Sequence, residues 1–284
     1  MNQSLALKYS PRRIADFIGL AAQKAMLSKF AAAPYSSAWL LIGNPGTGKS
    51  TLAMVVAETI RTKIGCAIHH LKSAESGVPD IEKLVLDSQM APMLGGRWHV
   101  AVVEEAGSMG PAAQKAWLSV LDPTGMPEDL IILFTANPYV IAANGRVTPH
   151  GLKDRFLSRV RTLQFAEPSD EDLAAFLKRV HGLETGKPAK GKPKLPDFTA
   201  IAHASRGNIR EALNTLEMEI LVPGSFVIAP QTAIPFHQNV VSIQQTANGE
   251  HPPGCPCKER RCSAKRAWVT MHDPAWVPPA QKRG

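Results

Sequence analysis

Three observations predict an α/β fold built on a parallel sheet. A glycine-rich stretch, Gly43-Asn44-Pro45-Gly46-Thr47-Gly48-Lys49-Ser50-Thr51, stands between an apolar run and an amphipathic one. A second apolar run, Trp98 to Val103, ends in the paired acids Glu104-Glu105, and a third, Leu130 to Ala136, ends in Asn137. Strands of a parallel sheet deliver their C-terminal residues to one edge, so three such endings describe one shared edge. The expected division is a sheet domain over residues 1–165, a small helical domain over 166–229, and an irregular Pro-, Cys- and Lys/Arg-containing tail over 230–284.

The glycine-rich stretch fits the pattern G-x-x-x-x-G-K-[ST] at every required position. Ala38-Trp39-Leu40-Leu41-Ile42 before it reads as a buried strand. From Lys49 a helix follows, with Leu52, Val55, Val56 and Ile60 on one face. Glycines let the backbone curl so that successive N–H groups converge at a helix N-terminus, which makes an anion nest. In that nest Lys49 reaches the β- and γ-phosphates of ATP, and the Ser50 hydroxyl ligates Mg²⁺. A Gly-Pro turn that merely precedes a helix is the plainer account, but strand and helix in place on either side favour the nucleotide.

The 284 residues bury a sizeable core, in one large domain or two smaller ones. No apolar run approaches the roughly 18 residues of a membrane span. The N-terminus lacks the charged-then-apolar order of a secretion signal, so a cytoplasmic protein with no membrane partner is expected. Of the four cysteines, three crowd near the C-terminus, which is not a secreted disulfide framework. The net charge of +8 suits a polyanion, but the excess gathers at Lys187, Lys190, Lys192 and Lys194 and again at Lys258, Arg260, Arg261, Lys265 and Arg266. Charge alone leaves nucleic acid and a solvated linker at even weight.

In chain order, a helix is expected from about Ala21 to Phe30, and a second strand at Ala67-Ile68-His69-His70-Leu71. His69 and His70 have no acids or cysteines at ligand spacing, so they read as strand residues rather than metal ligands. A helix starts near Pro79. The strand ending at Glu104-Glu105 has the form that holds Mg²⁺ with its first acid and orients the attacking water with its second. A helix follows over Pro111 to Leu121. Asn137, at the end of the next strand, is placed either to meet the attacking water and γ-phosphate or to cap the turn before Pro138. Arg155-Phe156-Leu157-Ser158-Arg159-Val160-Arg161 precedes a short strand at Thr162 to Phe165. Ser169-Asp170-Glu171-Asp172 opens a helix with a cap and an acidic first turn. Further helices are expected over Phe198–Ser205 and Ile209–Glu217.

This order of motifs resembles the AAA+ clamp-loader ATPases, the group of replication factor C small subunits and the bacterial polymerase III γ/τ type, over roughly residues 8–220. Lys8-Tyr9-Ser10-Pro11 and Asp16-Phe17-Ile18-Gly19 resemble the opening that lies against adenine, with Ser10 where Arg is usual. Glu104-Glu105 corresponds to the D-E box, with Glu replacing Asp at the first acid. Gln114-Lys115-Ala116-Trp117-Leu118 resembles the helix after it, and Asn137 sits where sensor 1 does. Ser158-Arg159-Val160 resembles the S-R-C box, whose Arg acts in a neighbour's site. Gly207-Asn208-Ile209-Arg210 resembles the sensor 2 motif, with Arg210 facing the γ-phosphate.

The resemblance implies an oligomer, of one chain type or several, that uses ATP and Mg²⁺ on DNA and opens or loads a ring-shaped clamp or acts on another replication protein. Alternatives are a subunit that binds nucleotide without hydrolysing it, a helicase loader and a motor. The chain departs from the bacterial γ/τ type in lacking the zinc cysteines between the P-loop and Glu104, since Cys66 stands alone there, and from the clamp loaders in a tail that does not read as a helical collar. His251, Cys255, Cys257 and Cys262 in that tail suggest a zinc module, although C-x-C is not the usual C-x-x-C spacing, and a disordered basic tail is the other reading.

Overall fold

The computed structural model describes residues 3–93, 95–122, 124–141, 147–186 and 195–224. The expected zinc set His251, Cys255, Cys257 and Cys262, the rest of the tail, and the lysines of 187–194 lie outside the described residues. In chain order the helices and strands are α1 (Leu5–Lys8), α2 (Ala21–Ala32), β1 (Ser37–Ile42), α3 (Lys49–Ile64), β2 (Cys66–Lys72), α4 (Val78–Asp87), β3 (Trp98–Glu104), α5 (Pro111–Val120), β4 (Leu130–Ala136), β5 (Tyr139–Ile141), β6 (Val147–Pro149), α6 (Asp154–Leu157), β7 (Arg161–Gln164), α7 (Asp170–Thr185), α8 (Phe198–Ser205) and α9 (Ile209–Leu221).

Five strands form one parallel sheet in the order β2-β3-β4-β1-β7. The order follows from burial. β1 and β4 are buried along their whole length and lie inside the sheet, as strands covered on both faces must. β2, half exposed and carrying two histidines and a lysine, lies at an edge. Alternating side chains divide the core in two. Trp39, Leu41, Val100, Val102, Ile131 and Leu133 pack with Leu52, Val56 and Ile60 of α3. Leu40, Ile42, Ala101, Val103, Ile132 and Phe134 pack on the opposite face with Ile81 and Leu84 of α4 and Trp117 of α5. Phe134 meets the edges of Trp117 and Phe156, each with ring centroids 5.0 Å apart.

All four parallel pairings point the C-terminal ends of the strands to the same edge. Ile42 there leads into the glycine-rich loop, Glu104 into the turn Ala106–Ser108, and Ala136 into Asn137. Glu105 takes a left-handed backbone conformation at φ 54, rare for a residue with a side chain. The antiparallel pair β5–β6 was not anticipated, because strands of three residues carry no readable period.

After the sheet, α7, α8 and α9 gather around Leu173, Leu177, Val180, Ile201, Leu213 and Leu216, joined by Leu5 of α1. Each of the three helices has a side-chain cap: Ser169 accepts from Asp172 N–H at 3.1 Å, Asp197 from Ala200 N–H at 3.0 Å, and Asn208 from Glu211 N–H at 3.1 Å. No helix among the described residues is long and apolar enough to cross a membrane.

Candidate active site

The loop between β1 and α3 is shaped by its glycines. Gly46 and Gly48 have φ of +77° and +94°. A Cβ on Gly46 would fall 1.8 Å from Asn208 Oδ1. This close approach brings the start of α9 onto the loop, where Ile209 N–H donates to Gly46 C=O at 3.1 Å. Asn44 Nδ2 donates to Glu167 Oε1, between β7 and α7, and Thr47 Oγ1 donates to Asn44 C=O at 2.8 Å.

Lys49, the first residue of α3, is only 8 % exposed. Its ammonium donates to Asn44 C=O at 2.7 Å and to Asn137 Oδ1 at 3.3 Å, both neutral oxygens. Burial pushes the amine down to about 8; Glu105 pulls it upward and Arg210 pushes it further down. A buried cation held by neutral acceptors, at the mouth of a helix N-terminus, is suited to an anion.

One cleft is lined by Lys49, Ser50, Glu104, Glu105, Asn137 and Arg210 together with the glycine-rich loop. Residues from β1–α3, β3, β4 and α9 therefore meet at the sheet's C-terminal edge. The chemistry of the donors fits Mg²⁺: the Ser50 hydroxyl and the Glu104 carboxylate are hard oxygens, and this ion takes one or two such side chains plus phosphate and water. Among the described residues no group of three or more His, Cys, Asp and Glu side chains forms a metal cage, so an ion at Ser50 and Glu104 would need further ligands from outside these side chains.

A more apolar hollow adjoins the loop, lined by Tyr9, Pro11, Ile18, Phe176 and Leu213, with Gly46, Thr47, Gly48 and Thr51 at its floor. Its largely apolar lining is of the kind that accepts an aromatic base. The Tyr9 hydroxyl donates to Glu184 Oε1 at 2.5 Å, and Lys8 Nζ lies 2.7 Å from the same oxygen. Tyr9 is thus fastened to the end of α7, a tie no local pattern announces.

Arg159 is not in this cleft. It lines a separate groove with Lys115, Ser119, Asp122, Arg155 and Ser158. Its guanidinium bonds Asp122 Oδ2 at 3.0 Å and Leu118 C=O at 3.2 Å. Of the expected site residues, those of the P-loop, Glu104, Glu105, Asn137 and Arg210 come together, Tyr9 borders them, and Arg159 stands apart. Glu167 and Asn208, which touch the loop from after β7 and from the start of α9, were missed as contacts. They lie more than a hundred residues from the loop in sequence, and only the fold joins them.

No family model matches the chain. Replication-associated recombination protein A of Escherichia coli (strain K12) is 30% identical over 240 residues, covering 81% of this chain and 50% of that protein. ATPase WRNIP1 of Dictyostelium discoideum is 27% identical over 222 residues, covering 76% and 23%. Replication factor C small subunit 1 of Pyrobaculum aerophilum is 25% identical over 218 residues, covering 74% and 60%. The chain spans about half the length of the bacterial relatives it matches. Among solved structures, the Thermotoga maritima RuvB Holliday junction branch migration motor superposes with a TM-score of 0.55 at 20% identity, covering 75% of this chain and 67% of that one. That likeness is one of fold, the AAA+ fold. The relatives are AAA+ ATPases and include clamp-loader subunits, as the motif order implied.

Proposed function

We propose that this AAA+ chain is the ATP-hydrolysing part of an oligomeric machine that remodels complexes on DNA during replication or recombination, in the manner of a clamp loader. The observation that carries the reading is the convergence of Lys49, Ser50, Glu104, Glu105, Asn137 and Arg210 on one cleft while Arg159 lines another. Names of relatives in replication and recombination support DNA as the setting. A ring-shaped clamp as the object acted on rests on the motif resemblance.

In this reading the loop N–H groups and Lys49 bind the phosphates, and the hollow beside Tyr9 takes the adenine. Mg²⁺, held by Ser50 and Glu104 when bound, neutralises phosphate charge. Glu105 accepts hydrogen bonds from the attacking water and draws off its proton. Asn137 holds the water or γ-phosphate in line, and Arg210 contributes positive charge from the start of α9. Arg159 has no part in its own chain's cleft and serves a neighbour's, supplying transition-state charge that is worth about 10³–10⁵ in rate for such fingers.

Lys49→Ala is expected to abolish tight ATP binding while leaving the fold intact, because the ammonium is the cleft's buried cation. Glu105→Gln is expected to bind ATP normally and lose about 10²–10⁴ in turnover. Equilibrium ATP binding and steady-state hydrolysis in the presence of DNA measure both. Unchanged binding by the lysine variant contradicts the loop assignment, and unchanged turnover in the glutamine variant removes Glu105 as base. A second reading, a subunit that binds ATP without hydrolysing it, draws on Glu104 standing where Asp is usual. Wild-type turnover no faster than ATP breakdown without protein, with tight ATP binding kept, selects that second reading.

A further inference from the structure

Glu104 is one methylene longer than the aspartate usual at this position in the family its motifs resemble, and a histidine of the neighbouring strand lies beside its carboxylate. β2 and β3 run parallel with His70 opposite Val102 and Lys72 opposite Glu104. His70 and Glu104 are therefore diagonal neighbours, two positions apart in register. Side chains alternate along a strand, and Ile68, Val100 and Val102 pack on the α3 side. His70 and Glu104 continue those two rows onto the same face, the one that carries the glycine-rich loop's helix. His69 belongs to the other face, where its Nε2 meets His99 Nδ1 at 2.9 Å. His70 Nε2 stands 3.3 Å from Glu104 Oε1. Among the described residues, no Lys or Arg side chain lies within ion-pair distance of that carboxylate.

We infer that His70 is a positioning residue for Glu104: it holds one carboxylate oxygen so that the longer acid can do what the shorter one does unaided. This rests on the assignment of Glu104 to the metal–nucleotide site. A glutamate has one more rotatable bond than an aspartate, and that freedom must be lost when the carboxylate is fixed. Mg²⁺ tolerates little distortion in its shell. A partner on the neighbouring strand removes the freedom before the ion arrives. An aspartate, shorter by about 1.5 Å, would not reach the ring, so the histidine and the longer acid make sense only as a unit. Partners that orient a metal ligand are typically worth about 10–100-fold in metal affinity.

The test is a double-mutant cycle on the full chain, with Mn²⁺ as the probe. Electron paramagnetic resonance measures bound Mn²⁺ with ATP present, and hydrolysis is followed against Mg²⁺ concentration. His70→Ala is expected to weaken Mn²⁺ binding about 10-fold and to raise the Mg²⁺ concentration for half-maximal turnover, with the rate at saturating Mg²⁺ largely kept. His70→Gln, which keeps an N–H donor, is expected to recover most of the loss. In a Glu104→Asp background, His70→Ala is expected to change Mn²⁺ binding by less than twofold. An equal loss in both backgrounds, no loss, or tighter binding in His70→Ala overturns the inference while the nucleotide site stands. A wild-type chain that binds no Mn²⁺ with ATP overturns the underlying site assignment instead.

Discussion

Gly46 shows how tightly the loop is built. Its φ of +77° is a left-handed conformation, and Asn208 Oδ1 occupies the space a Cβ would need, 1.8 Å away. Gly46→Ala is therefore expected to cost about 1–3 kcal/mol and to push the start of α9, with Arg210, off the loop. A thermal unfolding midpoint and an ATP titration measure both effects; an alanine variant with wild-type values in each contradicts the close packing of α9 on the loop. The motif spacing made Gly46, Lys49 and Ser50 legible in the sequence, because the G-x-x-x-x-G-K-[ST] pattern joins neighbours along the chain. The partners of these residues were not legible. His70 reaches Glu104 only through strand register, and Glu167 reaches Asn44 across 123 positions.

At the scale of elements, the long apolar strands were readable because burial on both faces needs apolar residues at every position. β4 is the clearest case, and Phe134 is its anchor: fully buried, with Trp117 and Phe156 on its edges. Phe134→Ala is expected to destabilise the chain by about 3–5 kcal/mol, read as a shift in denaturant midpoint; a shift worth under 1 kcal/mol would mean the face is not packed as described. The short pair β5–β6 escaped notice for the opposite reason.

A histidine pair joins β2 and β3. His99 lies in the core with its Nε2 2.8 Å from Met90 C=O, and its Nδ1 meets His69. Burial holds His69 below the usual 6.5, and His99 beside it acts in the same direction. Its folded pKa is thus lower than its unfolded one. Below pH 6.5 the unfolded chain binds more protons at this site, so the stability His69 contributes is complete above 6.5 and is lost as pH falls through the folded value. Unfolding midpoints between pH 7.5 and 5 are expected to fall with acidification, and His69→Gln is expected to flatten part of that fall. Parallel curves for wild type and variant contradict the assignment to His69.

For the whole molecule, one chain holds the cleft at the sheet's C-terminal edge and, elsewhere, an arginine that does not line it. Arg159 rests on Asp122 and Leu118 in a groove it shares with Lys115 and Arg155. The family resemblance implied a role for Arg159 in a neighbour's site, and the fold sets it in a groove of its own, but which surfaces would meet in an assembly is not written in a single chain. The measurement that tests the shared-site account most directly is activity in mixtures of two defective variants. Arg159→Ala is expected to bind ATP nearly as wild type does and to hydrolyse it poorly. Lys49→Ala is expected to bind none but to present an intact Arg159. Mixed and co-assembled, the two are expected to regain hydrolysis in proportion to the interfaces that join a working cleft to a working arginine. No recovery at any ratio, with co-assembly confirmed by native mass, would contradict a site shared between chains.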